Sequence, residues 1–269
     1  MDFSNRLMVE PGTKAAIRKR DPGSTHGFKD KEDAEEALKK NTERLSELQY
    51  VLYAESKHAV LIVFQAMDAG GKDGTIRHVM TGLNPQGTRV TSFKVPSVEE
   101  SAHDFLWRIH RPMPSRGEIG IFNRSHYEDV LVVRVHKLVP KEVWSKRYDE
   151  INAFERTLSE SGVKILKFFL HISKEEQKER FRQRLEDPTK HWKLSAADFA
   201  ERKLWDDYMD AYEDALTHCS TDWAPWYVIP ADKKWYRNLA VSQIIVEALE
   251  GLHMRLPEPS LDISRISLE

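Results

Sequence analysis

AVLIVFQAMDAGGKDGT, residues 59–75, decides the fold. Its first eight residues are almost wholly apolar and rich in valine and isoleucine, which suits a strand buried on both faces of a parallel sheet. The stretch that follows carries Gly70, Gly71 and Gly74 around Lys72, and a polar, helix-like segment runs on from Thr75. In the order strand, glycine turn, helix, backbone N–H groups open towards an anion and the lysine adds a point charge. A phosphate loop normally reads G-x-x-x-x-G-K-[ST]; here Ala66 stands in place of the first glycine and Asp73 in place of the hydroxyl residue. The glycines still permit close backbone approach, so Ala69, Gly70, Gly71, Asp73, Gly74 and Thr75 are expected around a phosphate. The plainer alternative is a turn that binds nothing.

Asp68 and Asp73 put two carboxylates inside or beside this anion site. Carboxylate beside phosphate is repulsive unless a cation lies between them. The loop therefore implies Mg²⁺, with Mn²⁺ as a second candidate, bound by oxygens of protein, water and phosphate.

Outward from the loop, helical and strand patterns alternate. Residues 31–56 read as a long helix, with Ala34, Leu38, Leu45, Leu48 and Leu52 at three- to four-residue spacing. Strands are expected at 89–95, 117–122, 164–172 and 226–231, and helices at 97–110, from Pro140 to Gly162, and at 235–254. Residues 127–136 are ambiguous: their valines favour strand, while their place after a loop allows helix. The pattern predicts one α/β domain over 31–269, a parallel sheet of about five strands covered by helices on both faces. Residues 1–30, rich in proline and glycine with basic Lys14, Arg18, Lys19 and Arg20, read as an arm on the surface.

GEIGIFNRSHYEDV, residues 117–130, places Asn123, Arg124, Ser125, Tyr127, Glu128 and Asp129 at the carboxyl end of a strand. Ligands bind there in open α/β sheets. An arginine there can stabilise a transferring phosphoryl group, and Asp129 can complete a metal site with Asp68. Alternatively, Arg124 and Asp129 pair with each other. Ser173 and Glu176 form a capping box for a helix to about Leu185 that carries Gln177, Arg180 and Arg184 on one face. A basic loop with Lys190 and Lys193 follows, and then a helix at 197–218 with Leu204, Tyr208, Tyr212 and Leu216 on one stripe. This reads as a lid over about 174–218 that clamps phosphates and excludes water, or else as a solvated charged helix. Arg77, Lys94 and Arg116 are candidates for a basic track; His78, His110, His126 and His136 read as packing or hydrogen-bonding residues.

Composition narrows the classes. The formal net charge is −2, which weighs against a general nucleic-acid binder. The single cysteine, Cys219, excludes an intrachain disulfide and the Cys₄ and Cys₂His₂ zinc sites. No apolar run reaches membrane-helix length, and MDFSNRLMVEPG lacks the apolar core of a signal peptide, so a cytoplasmic protein without membrane partners is expected.

Taken together, QAMDAGGKDGTIRHV, NPQG, TSFK, FNRSHYEDVLVVRVH, LHISKEEQKERF and APWYVIPADKKWYRN resemble the polyphosphate kinase 2 family from about residue 30 to 255. The resemblance implies a thymidylate-kinase-like P-loop fold and Mg²⁺-dependent phosphoryl transfer between inorganic polyphosphate and adenine or guanine nucleotides. It matches Asp68 and Lys72 to the Walker A residues, Arg124 to the Walker B arginine and Arg184 to the lid arginine. Asn123 stands where another branch of the family has aspartate, and Asp129 supplies a carboxylate instead, which resembles class III, similar in taking both AMP and ADP towards ATP. Asp68, Lys72, Arg124, Asp129 and Arg184 are thus the catalytic candidates, in a chain expected to act as a homo-oligomer. Two other readings stand beside this one: an ATP-dependent nucleotide or nucleoside kinase, and a non-catalytic nucleotide- or polyphosphate-binding protein.

Overall fold

The computed structural model describes residues 3–263 and 266. Five parallel strands, β1 (Ala59–Ala66), β2 (Thr88–Ser92), β3 (Ile119–Asn123), β4 (Val163–His171) and β5 (Trp226–Pro230), form one sheet in the order β2-β3-β1-β4-β5. All eight residues of β1 are buried, as expected for a central strand flanked on both sides and covered on both faces.

Twelve α-helices surround the sheet among the described residues. They are α1 (Phe3–Leu7), α2 (Lys31–Glu55), α3 (Lys72–Val79), α4 (Val98–Ser101), α5 (Trp107–His110) and α6 (Val132–Val135), followed by α7 (Lys141–Trp144), α8 (Arg147–Glu160), α9 (Lys174–Glu186), α10 (Ala196–Glu201), α11 (Trp205–Cys219) and α12 (Lys234–Glu250). Helix α12 packs on α1, α2 and α3, and α11 on α6 and α8, which makes three layers.

Several expected boundaries shift. The strand expected at 89–95 stops at Ser92, because Phe93 turns into the core edge-on to Phe122, ring centres 4.9 Å apart. The helix expected at 97–110 divides into α4 and α5, where the Asp104 carboxylate takes the Leu106 N–H at 3.0 Å. Residues 127–136 are helical: Ser125 caps a 3₁₀ turn at His126–Asp129, and Tyr127, Val130 and Leu131 reach the core at helical spacing. Ser173 accepts the Glu176 N–H, but the Glu176 carboxylate goes to Arg180 instead of back to Ser173, so only half of the capping box forms.

Two larger expectations need correction. Residues 3–30 are irregular apart from α1 and a 3₁₀ turn at Ile17–Lys19, and the arm does not merely lie on the surface: Phe3, Leu7, Val9, Ala15 and Ile17 are buried in the common core. Val9 N–H bonds to the Trp226 carbonyl at 2.8 Å and Met8 bridges Tyr227, so this segment covers the β5 edge. The lid is also shorter than 174–218, because α11 buries Trp205, Met209, Tyr212 and Leu216. What projects is Pro188–Leu204, three short helical pieces with no buried residue.

Candidate active site

Strands β1 and β3 are neighbours, and chain connections leave them towards opposite ends of the sheet, so a crevice opens at their carboxyl ends. The loop after β1 lines a cavity of about 720 Å³ there. At Gly70 a Cβ would lie 2.5 Å from Ala66 Cβ and 2.7 Å from the Met67 carbonyl, so only glycine fits that turn. Gly71 has φ 101°, and a Cβ on it would lie 2.1 Å from Arg237 Nη1. Ala69 also takes a left-handed conformation, and its carbonyl accepts from Arg180 Nη1 at 2.9 Å.

Lys72 opens α3 and its Nζ donates to the Ala66 carbonyl at 3.1 Å. Burial, then the nearby Arg124, pulls the Lys72 pKa down; Asp68, Glu128 and Asp73 oppose this. Arg124, left-handed at φ 64°, follows β3 directly and points Nη2 at Asp68 Oδ1, 3.2 Å away, with Nη1 3.8 Å from Glu128. Burial lowers its pKa, but Glu128 and Asp68 outweigh that and raise it. Asn123 donates to Asp73 at 2.6 Å.

The large cavity is cationic. Beyond Lys72 it is lined by Arg180, Arg184, Lys190, Lys193, Lys234 and Arg237. Arg180 is buried and spends its N–H groups on Glu176 and on the carbonyls of Ala69 and Ala231, so it stitches the loop to α9. Arg184 lies 5.5 Å from the Phe181 ring and reaches the cavity without a carboxylate partner among the described residues. Arg237 is only 2 % exposed, yet among the described residues its side-chain bonds go only to the neighbouring Asn238 Oδ1, at 2.8 and 3.1 Å. Burial, and Arg180 beside it, drop its pKa to about 9. Arg237, Lys234 and Asn238 were not expected as site residues. The available signal is a cation at a core-facing position, between Tyr236 and Leu239 on the buried side of α12.

A second cavity of about 360 Å³ adjoins the first and shares Asp68, Val95, Arg124 and Asp198 with it. Its walls are of another kind: Leu131, Val132, Tyr208 and Tyr212, with Glu128 and Glu201. Tyr208 and His136 both bond to Glu201, at 2.7 and 3.0 Å, which ties α10 to the body below. Tyr208 and Tyr212, from the stripe foreseen on the helix at 197–218, thus supply part of the wall of this second cavity.

Not every expected site residue reaches these cavities. Tyr127 is fully buried under the loop, its hydroxyl donating to Glu155 at 2.9 Å and accepting from Lys167 at 2.8 Å. Ser125 is buried too, accepting from Gln65 and from the Tyr127 N–H. The Thr75 hydroxyl bonds back to the Gly71 carbonyl within α3. Arg77 is exposed on α3 and lines neither cavity, and nor does Arg116. The main departure is Asp129. Its carboxylate is turned away from both cavities onto Arg147, at 3.0 Å, and does not pair with Arg124 or approach Asp68 as a metal partner. The 3₁₀ turn explains this: it puts Glu128 at the lip and Asp129 on the α8 side. Burial pushes the Asp129 pKa up, against the pull of Arg147. His126 is buried on Glu155, 3.0 Å away, and His110 lies edge-on to Phe154; His78 alone of the four histidines lines the large cavity.

Among the described residues, no three His, Cys, Asp or Glu side chains converge to hold a metal ion. Two carboxylates, Asp68 and Asp198, line both cavities; Asp68 is the one carried by the phosphate loop, so a cation there would take its remaining oxygens from phosphate and water. That donor set fits Mg²⁺, which commonly keeps waters and binds through one or two carboxylates plus substrate phosphates. No helix among the described residues is long and apolar enough to cross a membrane.

Comparison with known proteins follows the same lines. The family model described as Polyphosphate kinase 2 matches residues 28–257. The chain is 55 % identical over 265 residues to the AMP/ADP-polyphosphate phosphotransferase of Meiothermus ruber, covering 98 % of this chain and 99 % of that one. It is 54 % identical over 243 residues to the ADP-polyphosphate phosphotransferase of Rhodopseudomonas palustris, covering 86 % and 84 %. Its structure is similar to the crystal structure of polyphosphate kinase 2 from Arthrobacter aurescens TC1, with TM-score 0.94 and 45 % identity over 98 % of this chain and 94 % of that one.

Proposed function

The chain belongs to the polyphosphate kinase 2 family, and from that premise we propose that it phosphorylates AMP to ADP and ADP to ATP with inorganic polyphosphate as donor. One observation carries this reading: two cavities of opposite character meet at Asp68 and Arg124. The large cationic one suits a polyanion. The smaller one, with apolar and tyrosine walls and carboxylates, suits a nucleoside whose phosphate turns towards Arg124. An ATP-dependent kinase needs an apolar slot for the donor base beside the loop. Here the walls on that side are Arg184, Lys190, Lys193, Lys234 and Arg237. A protein that only binds does not need so many cations around one phosphate.

In this mechanism the terminal phosphoryl group of the donor sits against the loop N–H groups and Lys72. Arg124 holds the acceptor phosphate in line with it, oriented by Asp68 and Glu128 at 3.2 and 3.8 Å. The acceptor oxygen is already ionised, so no strong base is needed, and catalysis comes from positioning and charge stabilisation. Arg184 and the projecting lid segment close over the donor and exclude water. Asp68 would hold Mg²⁺ together with phosphate oxygens, and the ion supplies charge neutralisation between donor and acceptor.

Further parts of the reading are placement in the cytoplasm, action without nucleic-acid or membrane partners, and assembly into a homo-oligomer. Tyr50 and Tyr53, exposed on α2, are consistent with such an interface.

The test is to mix protein, long-chain polyphosphate, Mg²⁺ and AMP with no ATP and to follow nucleotides by chromatography. ADP and then ATP are expected, with none after EDTA. Product that requires added ATP would replace this reading with the ATP-dependent kinase.

A further inference from the structure

A second groove, of about 530 Å³, lies beside the edge strand β2, between the 93–97 loop and α5. We propose that it is an outer subsite for the distal phosphates of long polyphosphate chains. The proposal rests on reading the large cavity as the donor site.

Continuity is the first argument. Ser92, Phe93, Lys94 and Val95 line both the groove and the donor cavity, so one surface runs from the phosphate loop over Lys94 to the sheet edge. Charge is the second. Among the described residues, the Lys94 ammonium and the Arg111 guanidinium have no carboxylate partner. Among the described residues the Arg89 side chain donates only to the Met113 carbonyl, at 3.2 Å, which leaves further N–H groups for a ligand. Of the two carboxylates in the groove, Glu100 is committed: it accepts the Ser97 N–H at 2.7 Å and faces Arg108 at 3.7 Å. Glu99 alone opposes three uncommitted cations, in a chain whose overall charge is −2.

The floor is built, not fluid. Arg108 is buried, donates to the Lys94 carbonyl at 2.8 Å and lies 5.6 Å from the Phe93 ring centre, which fixes the segment that carries Lys94. Several cations lining one groove without carboxylate partners among the described residues suit phosphates spaced along a flexible chain. A nucleoside would instead seek an aromatic face, and Trp107 is already stacked on His103 at 4.2 Å.

The groove lies outside the reacting centre, so it should sense chain length and leave chemistry alone. The test is the double variant Arg89→Gln/Arg111→Gln, both positions being exposed. For long-chain polyphosphate we expect KM to rise about tenfold and its salt dependence to flatten. The kcat, the KM for AMP, and the KM or inhibition constant of tripolyphosphate should stay at wild-type values. Equal weakening of tripolyphosphate and long chains, or no change for either, would overturn the proposal. A rise in the KM for AMP would assign the groove to the acceptor, which also overturns it. If the wild-type protein turned over no polyphosphate at all, the proposed function would fail first, before the variant was compared.

Discussion

Two deeply buried cations, Lys167 and Arg237, are treated in opposite ways. Lys167, in the middle of β4, reaches three acceptors: Glu155 at 2.5 Å, Tyr127 Oη at 2.8 Å and the Cys219 carbonyl at 2.7 Å. Its charge is closed, with Glu155 held below the usual carboxylate range: burial pushes that pKa up, but Lys167 and His126 pull it further down. Arg237, over the phosphate loop, has one amide oxygen and no carboxylate partner among the described residues. A buried charge left open is unfavourable on its own. A satisfied charge therefore serves the fold, and an open one is what the proposed polyphosphate donor would complete.

The largest expected effect falls on the closed pair. Glu155→Ala or Lys167→Ala strands the other charge and should lower stability by about 3–5 kcal/mol, read by urea unfolding. A loss below roughly 1 kcal/mol would mean that the pair is not dry, and would break the comparison. Next comes Lys72→Ala, which removes a fixed positive charge from the transfer site. Turnover should fall about 10²- to 10³-fold with an unchanged melting profile. Near-wild-type turnover would remove Lys72 from the mechanism.

Arg237→Gln should act with opposite signs on folding and binding. The KM for polyphosphate is expected to rise about tenfold, the loss of one charge-assisted contact. The ligand-free variant should melt higher than wild type, because the unpaired charge is gone. That gain should shrink as pH rises past about 9, because burial holds the pKa of native Arg237 below that of the unfolded chain, so the folded wild type gains stability there while the variant does not. A variant that melts lower at neutral pH would show that Arg237 is already satisfied. The smallest effect belongs to Asp129→Asn: turnover within about threefold of wild type is expected, since Asp129 acts on Arg147 and not on phosphate. A loss as large as that of Lys72→Ala would return Asp129 to the reaction centre.

How much of this was legible in the sequence follows from the range of each signal. The strand at 59–66 and the loop after it were readable because burial and glycine conformation are written locally. Asp68, Lys72, Arg124 and Arg184, singled out from the motifs, lie on the walls of the two cavities. Asp129 misled because a strand-end motif does not say which of two adjacent carboxylates a 3₁₀ turn will aim inward. Glu128 won that choice and Asp129 was left to Arg147. Tyr127 and Ser125 misled for a related reason: their partners, Glu155, Lys167 and Gln65, are distant in sequence and pull them under the loop. Arg237 stayed hidden because a lone arginine on an apolar helix is ordinarily a surface residue reaching past the edge of the core. Only the folded chain shows that it lies above Gly71.

The pairing of Met8 and Val9 with β5 has a consequence for how the chain is made. Residues that leave the ribosome early wait for a partner near position 226 before that margin of the sheet is covered. Until then the nascent protein carries open backbone at both flanks of its sheet, where stray pairing begins. Completion of this sheet is therefore a late event in synthesis, and variants that slow it should be recognised by aggregation during expression and not by a weaker finished enzyme.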